Sequence, residues 1–248
     1  MSDEFAGRVV LITGAARGLG RATAERFLEQ GASVAVHVRT AERAKSLASE
    51  LGERAFPVDG DLASADQARG LVRRTIDHFG RLDVLVNNAA VAYSTRVADI
   101  PEDEWRETLD VNLSAAFFAL QAAIPVMSAQ KFGRIINVSS TAGRSVSTLA
   151  GAHYTASKAG LIGMTRHAAR ELGPLGITVN AICPGLFDTD LARANATDER
   201  LEALRRNFPV QRLGQPPEVA ALICFVASDM AGYINGAALD INGGSLML

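Results

Sequence analysis

Cysteine is scarce. Two residues in 248, Cys183 and Cys224, make no disulfide framework and no zinc pattern, and a chain of this length buries roughly three quarters of its unfolded surface without such staples. A reducing compartment is the expectation. An excess of either charge is also missing: 25 basic against 27 acidic side chains give a formal net charge of -2 with the signs interspersed. That argues against a nucleic-acid partner or an anionic membrane surface. The most apolar stretch, Leu113 to Met127, carries Gln121 and Pro125 and is too short to cross a bilayer. The opening Met1 to Phe5 is acidic and runs within a few residues into a strand pattern, unlike a charged and then apolar leader. His37, His78, His153 and His167 are scattered and no H-E-x-x-H occurs, so no metal site is expected. No G-x-S-x-G elbow supports a hydrolase assembled from Ser140 and His153. These absences leave a cytoplasmic protein that acts on a small molecule.

What is present is a regular alternation, in a composition (48% hydrophobic, 21% charged) typical of a globular domain. Short apolar runs lie at Val9 to Thr13, Ser33 to Val38, Arg54 to Val58, Asp83 to Asn87, Arg134 to Val138, Ile177 to Ile182 and Ala237 to Asn242. Most are nearly continuous in Val, Ile and Leu, as in parallel strands covered on both faces. Between them, helix-period segments span Gly20 to Gln30, Ala41 to Leu51, Ala65 to His78, Glu102 to Met127, Ala152 to Leu172 and Pro217 to Ala227. Gly31, Gly52, Gly80 and Gly173 fall just past four of these helices, where a left-handed residue is needed. The pattern predicts a single α/β domain over residues 1–248: a doubly wound, Rossmann-type parallel sheet of seven strands. No repeat or linker divides it. The longest stretch without a strand, 184–216, contains the charged helical piece Asp198 to Arg206 and follows a strand end, which suits a substrate lid.

Ligands of such sheets bind beyond the carboxyl ends of the strands. Directly after the first strand comes Thr13-Gly14-Ala15-Ala16-Arg17-Gly18-Leu19-Gly20, which opens the first helix. Glycines there let the backbone turn tightly and approach a pyrophosphate, and the free amides of the helix N-terminus favour negative charge. The spacing G-x-x-x-G-x-G is neither the common Rossmann fingerprint nor a P-loop. Farther on, Tyr154 and Lys158 stand four residues apart in a helical segment and so share one face. An ammonium beside a phenol favours its anion, which would let Tyr154 exchange a proton with a carbonyl or alcohol oxygen. Ser139 and Ser140 follow the fifth strand at the ligand-binding end. Neighbouring strand residues point oppositely, so one of the two reaches the site. Asn112, in the long helix, is a poor helix former among apolar neighbours.

In these elements the chain resembles the short-chain dehydrogenase/reductase family, over essentially its whole length. Thr13 to Gly20 is similar to the family's T-G-x-x-x-G-x-G, Asp61-Leu62 to its adenine-contacting acidic pair, and Asn87-Asn88-Ala89-Ala90 to its N-N-A-G, with Ala90 in place of glycine. Pro184-Gly185 with Thr189 resembles its P-G-x-x-x-T segment near the nicotinamide. The resemblance implies a nicotinamide dinucleotide held by Gly14, Arg17, Gly18, Leu19, Gly20, Arg39, Asp61, Leu62, Asn88, Ala89, Ala90, Tyr154, Lys158, Pro184, Gly185, Phe187 and Thr189. It also implies catalysis by Asn112, Ser140, Tyr154 and Lys158, with Ser139 as the alternative serine and the Asn112 main chain carrying a proton relay to solvent. Where NAD-preferring relatives have Asp, this chain has Val38, followed by Arg39, so NADP(H) is expected over NAD(H). The functional expectation is an NADP(H)-dependent oxidoreductase interconverting a carbonyl and a secondary alcohol, generally similar to 3-oxoacyl carrier-protein reductases. The alternatives are an NAD-dependent sugar or polyol dehydrogenase and a non-catalytic nucleotide-sensing regulator. Family members are usually dimers or tetramers, and the apolar Gly243 to Leu248 suits an interface or internal packing.

Overall fold

The computed structural model describes residues 3–248. Its strands are β1 (Val9–Ile12), β2 (Ser33–Val38), β3 (Ala55–Asp59), β4 (Val84–Asn87), β5 (Gly133–Val138), β6 (Ile177–Pro184) and β7 (Ala238–Ile241). All pair in parallel in one seven-stranded sheet of order β3-β2-β1-β4-β5-β6-β7. The helices are α1 (Gly18–Glu29), α2 (Ala41–Leu51), α3 (Ala65–Phe79), α4 (Glu102–Leu109), α5 (Ala115–Gln130), α6 (Ala152–Leu172), α7 (Asp190–Asn195), α8 (Asp198–Arg206) and α9 (Pro216–Ala227). The doubly wound sheet read from the sequence is the fold.

The continuous apolar runs divide by the two-residue period of a strand. Val10, Ile12, Val34, Val36, Val84, Val86, Ile136 and Val138 pack on one face with Phe27 of α1 and Ile223 of α9. Val9, Leu11, Ala35, Leu85, Ile135 and Val179 pack on the other with Leu71 of α3 and Leu120 of α5. Both faces need apolar residues, so simple polar–apolar alternation is absent. Cys224 is a buried free thiol of the first cluster, and Cys183 is another, packed separately with Ile162 and Ala181.

Two expectations change. Gly31, Gly52 and Gly80 have φ of +88°, +96° and +73°, but Gly173 has a φ of −53°. It carries α6 into a short 3₁₀ turn, Gly173–Leu175, and the left-handed residue is Gly176, φ +80°. Pro174 explains the delay, because its fixed φ suits the opening of a helical turn. The long helix expected over 102–127 contains a π turn, Asp110–Ser114, between α4 and α5. With that turn the helical run Glu102–Gln130 reaches 29 residues and contains an 18-residue window of mean hydropathy 1.5, so by length and composition it could span a bilayer, which Leu113 to Met127 alone could not. Packing accounts for part of its apolar character: Ala115, Ala119, Leu120, Ala123 and Met127 are buried against the sheet and α3, while Phe117 is exposed. Beside them Arg69 of α3 lies 4.3 Å over the Phe118 ring and donates to Gln121.

Candidate active site

The strand order reverses between β1 and β4, and the loops leaving these neighbours open a crevice at their carboxyl ends. Thr13 and Asn88 stitch its floor. The Thr13 hydroxyl accepts the main-chain N–H of Asn88 and Ala89 at 2.9 and 3.0 Å, and the Asn88 amide donates to the carbonyls of Thr13 and Gly14 at 2.8 and 3.1 Å. The Asn88 side chain is therefore committed to shaping the turn. Gly14 and Gly18 have φ of +67° and +55°, and a Cβ on Gly20 would collide with the Gly14 carbonyl. The glycines are required by this geometry, independent of any ligand. α1 then begins with no side chain capping its first amides and no acidic residue in its first turn.

A cleft of about 940 Å³ runs from this turn across the sheet. Every residue that the resemblance assigned to the dinucleotide lines it, as do Ser140, Tyr154 and Lys158; Asn112 does not. Besides Asn88, two more of the assigned side chains have other employment. The Thr189 hydroxyl caps α7 by accepting the Ala192 N–H at 3.3 Å, and the Phe187 ring lies against Gly214, where the two ends of the 184–216 segment meet. There the Asp188 N–H reaches the Gly214 carbonyl at 2.9 Å, so α7 and α8 project from a pinched neck. α7 itself escaped the sequence reading, being only 6 residues long.

The structure separates the two serines. Ser139 turns inward and donates to the Lys158 carbonyl at 2.8 Å. Ser140 faces the cleft, where its hydroxyl accepts the Ala142 N–H at 3.1 Å and lies on the Tyr154 side. Lys158 is buried, 2% exposed, and its ammonium donates to the Val138 carbonyl at 2.8 Å while lying 5.6 Å from the Tyr154 ring centre. Burial pushes its pKa down to about 8, with Cys183 acting the other way. The expected acidification of Tyr154 is not what this geometry gives. Burial drives the phenol upward and outweighs the opposing influence of the Ser140 hydroxyl.

The Asn112 side chain is fully engaged. Seated in the π turn and 2% exposed, it accepts the Val91 N–H at 2.8 Å, donates to the Val91 carbonyl at 2.9 Å and donates to the Ser157 hydroxyl at 3.2 Å. Ser157 in turn donates to the Tyr154 carbonyl at 2.7 Å. The amide thus links the loop after β4 to the helical turn bearing Tyr154. Neither Val91, recruited through its main chain, nor Ser157 gave any signal in the sequence. Asn112→Ala leaves both polar groups of Val91 without this partner, and roughly 2–4 kcal/mol of unfolding free energy should be lost in urea denaturation; a loss below about 0.5 kcal/mol would show that the clamp contributes little.

At the far end of the cleft, Arg39 pairs with Asp61 at 2.9 Å, whose other oxygen accepts the Ala63 N–H at 3.0 Å. Arg17 reaches across the cleft to Asp190 of α7 at 3.8 Å. Arg43, one turn into α2, also lines this end, and the sequence reading overlooked it because its helix begins after the ribose-sensing position.

Comparison with known proteins agrees with this geometry. Residues 14–245 match the family model described as Enoyl-(Acyl carrier protein) reductase. The chain belongs to the short-chain dehydrogenase/reductase family. It is 40% identical over 241 residues to a 3-oxoacyl-[acyl-carrier-protein] reductase FabG of Staphylococcus aureus, covering 96% of this chain and 97% of that one. The FabG of Salmonella typhimurium is 36% identical over 245 residues, covering 99% and 100%. Among solved structures, a 3-oxoacyl-[acyl-carrier protein] reductase from Brucella melitensis has a TM-score of 0.92 at 36% identity, covering 100% of this chain and 94% of that one. Another from the same organism, with bound NAD, has a TM-score of 0.90 at 36% identity, with the same coverage. This short-chain dehydrogenase/reductase is accordingly an oxidoreductase, which removes the nucleotide-sensing regulator from the alternatives.

The residues present suit a nicotinamide dinucleotide. The uncapped start of α1, with no acidic residue in its first turn, accommodates a pyrophosphate. The buried Lys158 ammonium has three donors, engages one protein acceptor and, among the described residues, pairs with no carboxylate, which suits ribose hydroxyls.

Proposed function

We propose that this protein is an NADP(H)-dependent reductase of ketones, acting on a 3-oxoacyl thioester or a carbonyl compound of related shape. The observation that carries this reading is the convergence of Ser140, Tyr154 and Lys158, the last one helical turn from the tyrosine, on one cleft at the carboxyl ends of the strands. The dinucleotide, when bound, supplies the hydride. Tyr154, kept protonated at neutral pH by its burial, donates its proton to the carbonyl oxygen. Ser140 hydrogen-bonds the same oxygen and holds it beside the phenol. Lys158 orients ribose and passes a proton from solvent back to Tyr154, while Asn112 is a positioning residue that fixes the turn carrying the tyrosine. A protonated phenol favours the reductive direction.

The segment 184–216 is the proposed lid, hinged at Phe187 and Gly214 and resting on the 145–150 loop through the Arg200 bond to the Thr148 carbonyl at 2.7 Å. A homo-oligomer, tetramer or dimer, is supported by the exposed Met247 and Leu248. Loss of absorbance at 340 nm on mixing with NADPH and a 3-oxoacyl thioester tests the activity; no turnover with that thioester or any other ketone of a broad panel would sink it.

NADPH as the preferred donor rests on Val38 at the acidic position of NAD-users and on Arg39 and Arg43 at the adenosine end. A second reading, NAD(H) as the coenzyme, is favoured by the Asp61 carboxylate that partly neutralises Arg39 and by the NAD in the Brucella relative. Arg39→Ala decides between them. Affinity for NADPH should fall by roughly tenfold and that for NADH by less than about twofold, measured by isothermal titration; equal losses would assign Arg39 a structural role.

A further inference from the structure

His37 is the penultimate residue of β2, 3% exposed, with both ring nitrogens engaged. Nδ1 accepts the Gly14 N–H at 3.1 Å, so it carries no proton, and the other nitrogen, Nε2, then donates to the Gly60 carbonyl at 3.0 Å. One neutral imidazole therefore spans from the glycine turn after β1 to the loop after β3. The His37 carbonyl adds a third tie by accepting the Ala15 N–H at 2.9 Å. Gly14 and Gly60 have no side chains with which to fix their own spacing. Yet Gly14 opens the turn that would receive the pyrophosphate, and Gly60 precedes Asp61, the partner of Arg39 at the adenosine end.

Burial and the Arg74 guanidinium both push the His37 pKa down, against the Gly60 hydrogen bond and the carboxylates of Asp59 and Asp61. Protonation would also turn Nδ1 from acceptor to donor, directly against the Gly14 N–H. Geometry and environment select the same neutral form.

We propose that His37 is a positioning residue that sets the separation of the pyrophosphate turn and the adenosine loop, and so determines dinucleotide affinity without touching the reacting atoms. This rests on the dinucleotide reading of the cleft. Two amide side chains each preserve half of the bridge: Asn places an acceptor where Nδ1 lies, and Gln places a donor where Nε2 lies. Leu preserves neither.

The test is isothermal titration of the full-length wild type and of His37→Asn, His37→Gln and His37→Leu with NADP⁺ and with NAD⁺, alongside kcat at saturating cofactor. His37→Leu should weaken both nucleotides by about tenfold or more, and the Asn and Gln variants should fall between it and the wild type. kcat at saturation should stay within about twofold of wild type throughout, because Ser140, Tyr154 and Lys158 are untouched. Unchanged affinity across the series, amide variants no better than Leu, or kcat falling in step with affinity would each overturn the proposal. Should the Leu variant fail to fold, wild-type affinity in both amide variants overturns it equally. Wild-type protein that binds neither nucleotide defeats the dinucleotide reading itself, a result distinct from binding that is indifferent to residue 37.

Discussion

Replacing Tyr154 with Phe is expected to lower kcat by about 10²–10⁴-fold while leaving the Kd for NADPH within about twofold of wild type. The ring stays, so the packing beside Lys158 stays; only the hydroxyl is removed. A purely structural tyrosine would produce the opposite pattern, an unchanged kcat with a loss of stability. Single-turnover rates of NADPH oxidation with excess enzyme isolate the chemical step, and a wild-type single-turnover rate in the variant would remove Tyr154 from the mechanism. The pH dependence adds a second check. Because burial raises the Tyr154 pKa, the acid form persists through neutrality, and the reductive rate should not decline from loss of that proton until the pH passes the ordinary phenol value of 10. An earlier decline, beginning near pH 8, would report Lys158, whose ammonium is lost there.

Lys158→Met should separate stability from activity. At pH 7 the folded protein holds an ammonium that burial destabilises, and the shift from 10.5 to about 8 corresponds to roughly 3 kcal/mol. The hydrogen bond to Val138 is lost with the charge, which offsets about 1 kcal/mol, so a net gain of roughly 2 kcal/mol in unfolding free energy is expected. In the wild type, the unfolded chain retains the Lys158 proton between pH 8 and 10.5 while the folded chain does not. Stability therefore rises with pH across that window and is lowest below it. The Met variant should lack this rise and should have lost nearly all turnover. Denaturant melts at pH 7 and pH 10 read both effects; a Met variant less stable than wild type at pH 7 would show that Lys158 contributes to folding as well as to function.

Such a trade of stability for function is visible only in three dimensions. The sequence placed Tyr154 and Lys158 on one helical face, since a spacing of four residues fixes their relative direction through helix geometry alone. It could not show that the same face is buried, nor that the ammonium would seek the Val138 carbonyl, because burial is a property of what α6 packs against. The sign of the Tyr154 shift was misjudged for that reason. The serine choice had a similar limit. Alternation established that Ser139 and Ser140 diverge, while only the position of the Lys158 carbonyl decided which one turned inward.

The sequence by itself determined the layers, the sheet and the strand ends that would carry chemistry, because apolar runs of strand length, helix-period segments and glycine punctuation are local signals that tertiary packing here reinforces. Tertiary structure alone decided what depends on distant partners. It set the π turn that lets Asn112 grip Val91, the imidazole joining Gly14 to Gly60, the pairing of Arg39 with Asp61, and the direction in which buried Tyr154 and Lys158 titrate. Hydrogen-bond partners and dielectric surroundings are fixed by neighbours in space, and spacing along the chain carries no record of them.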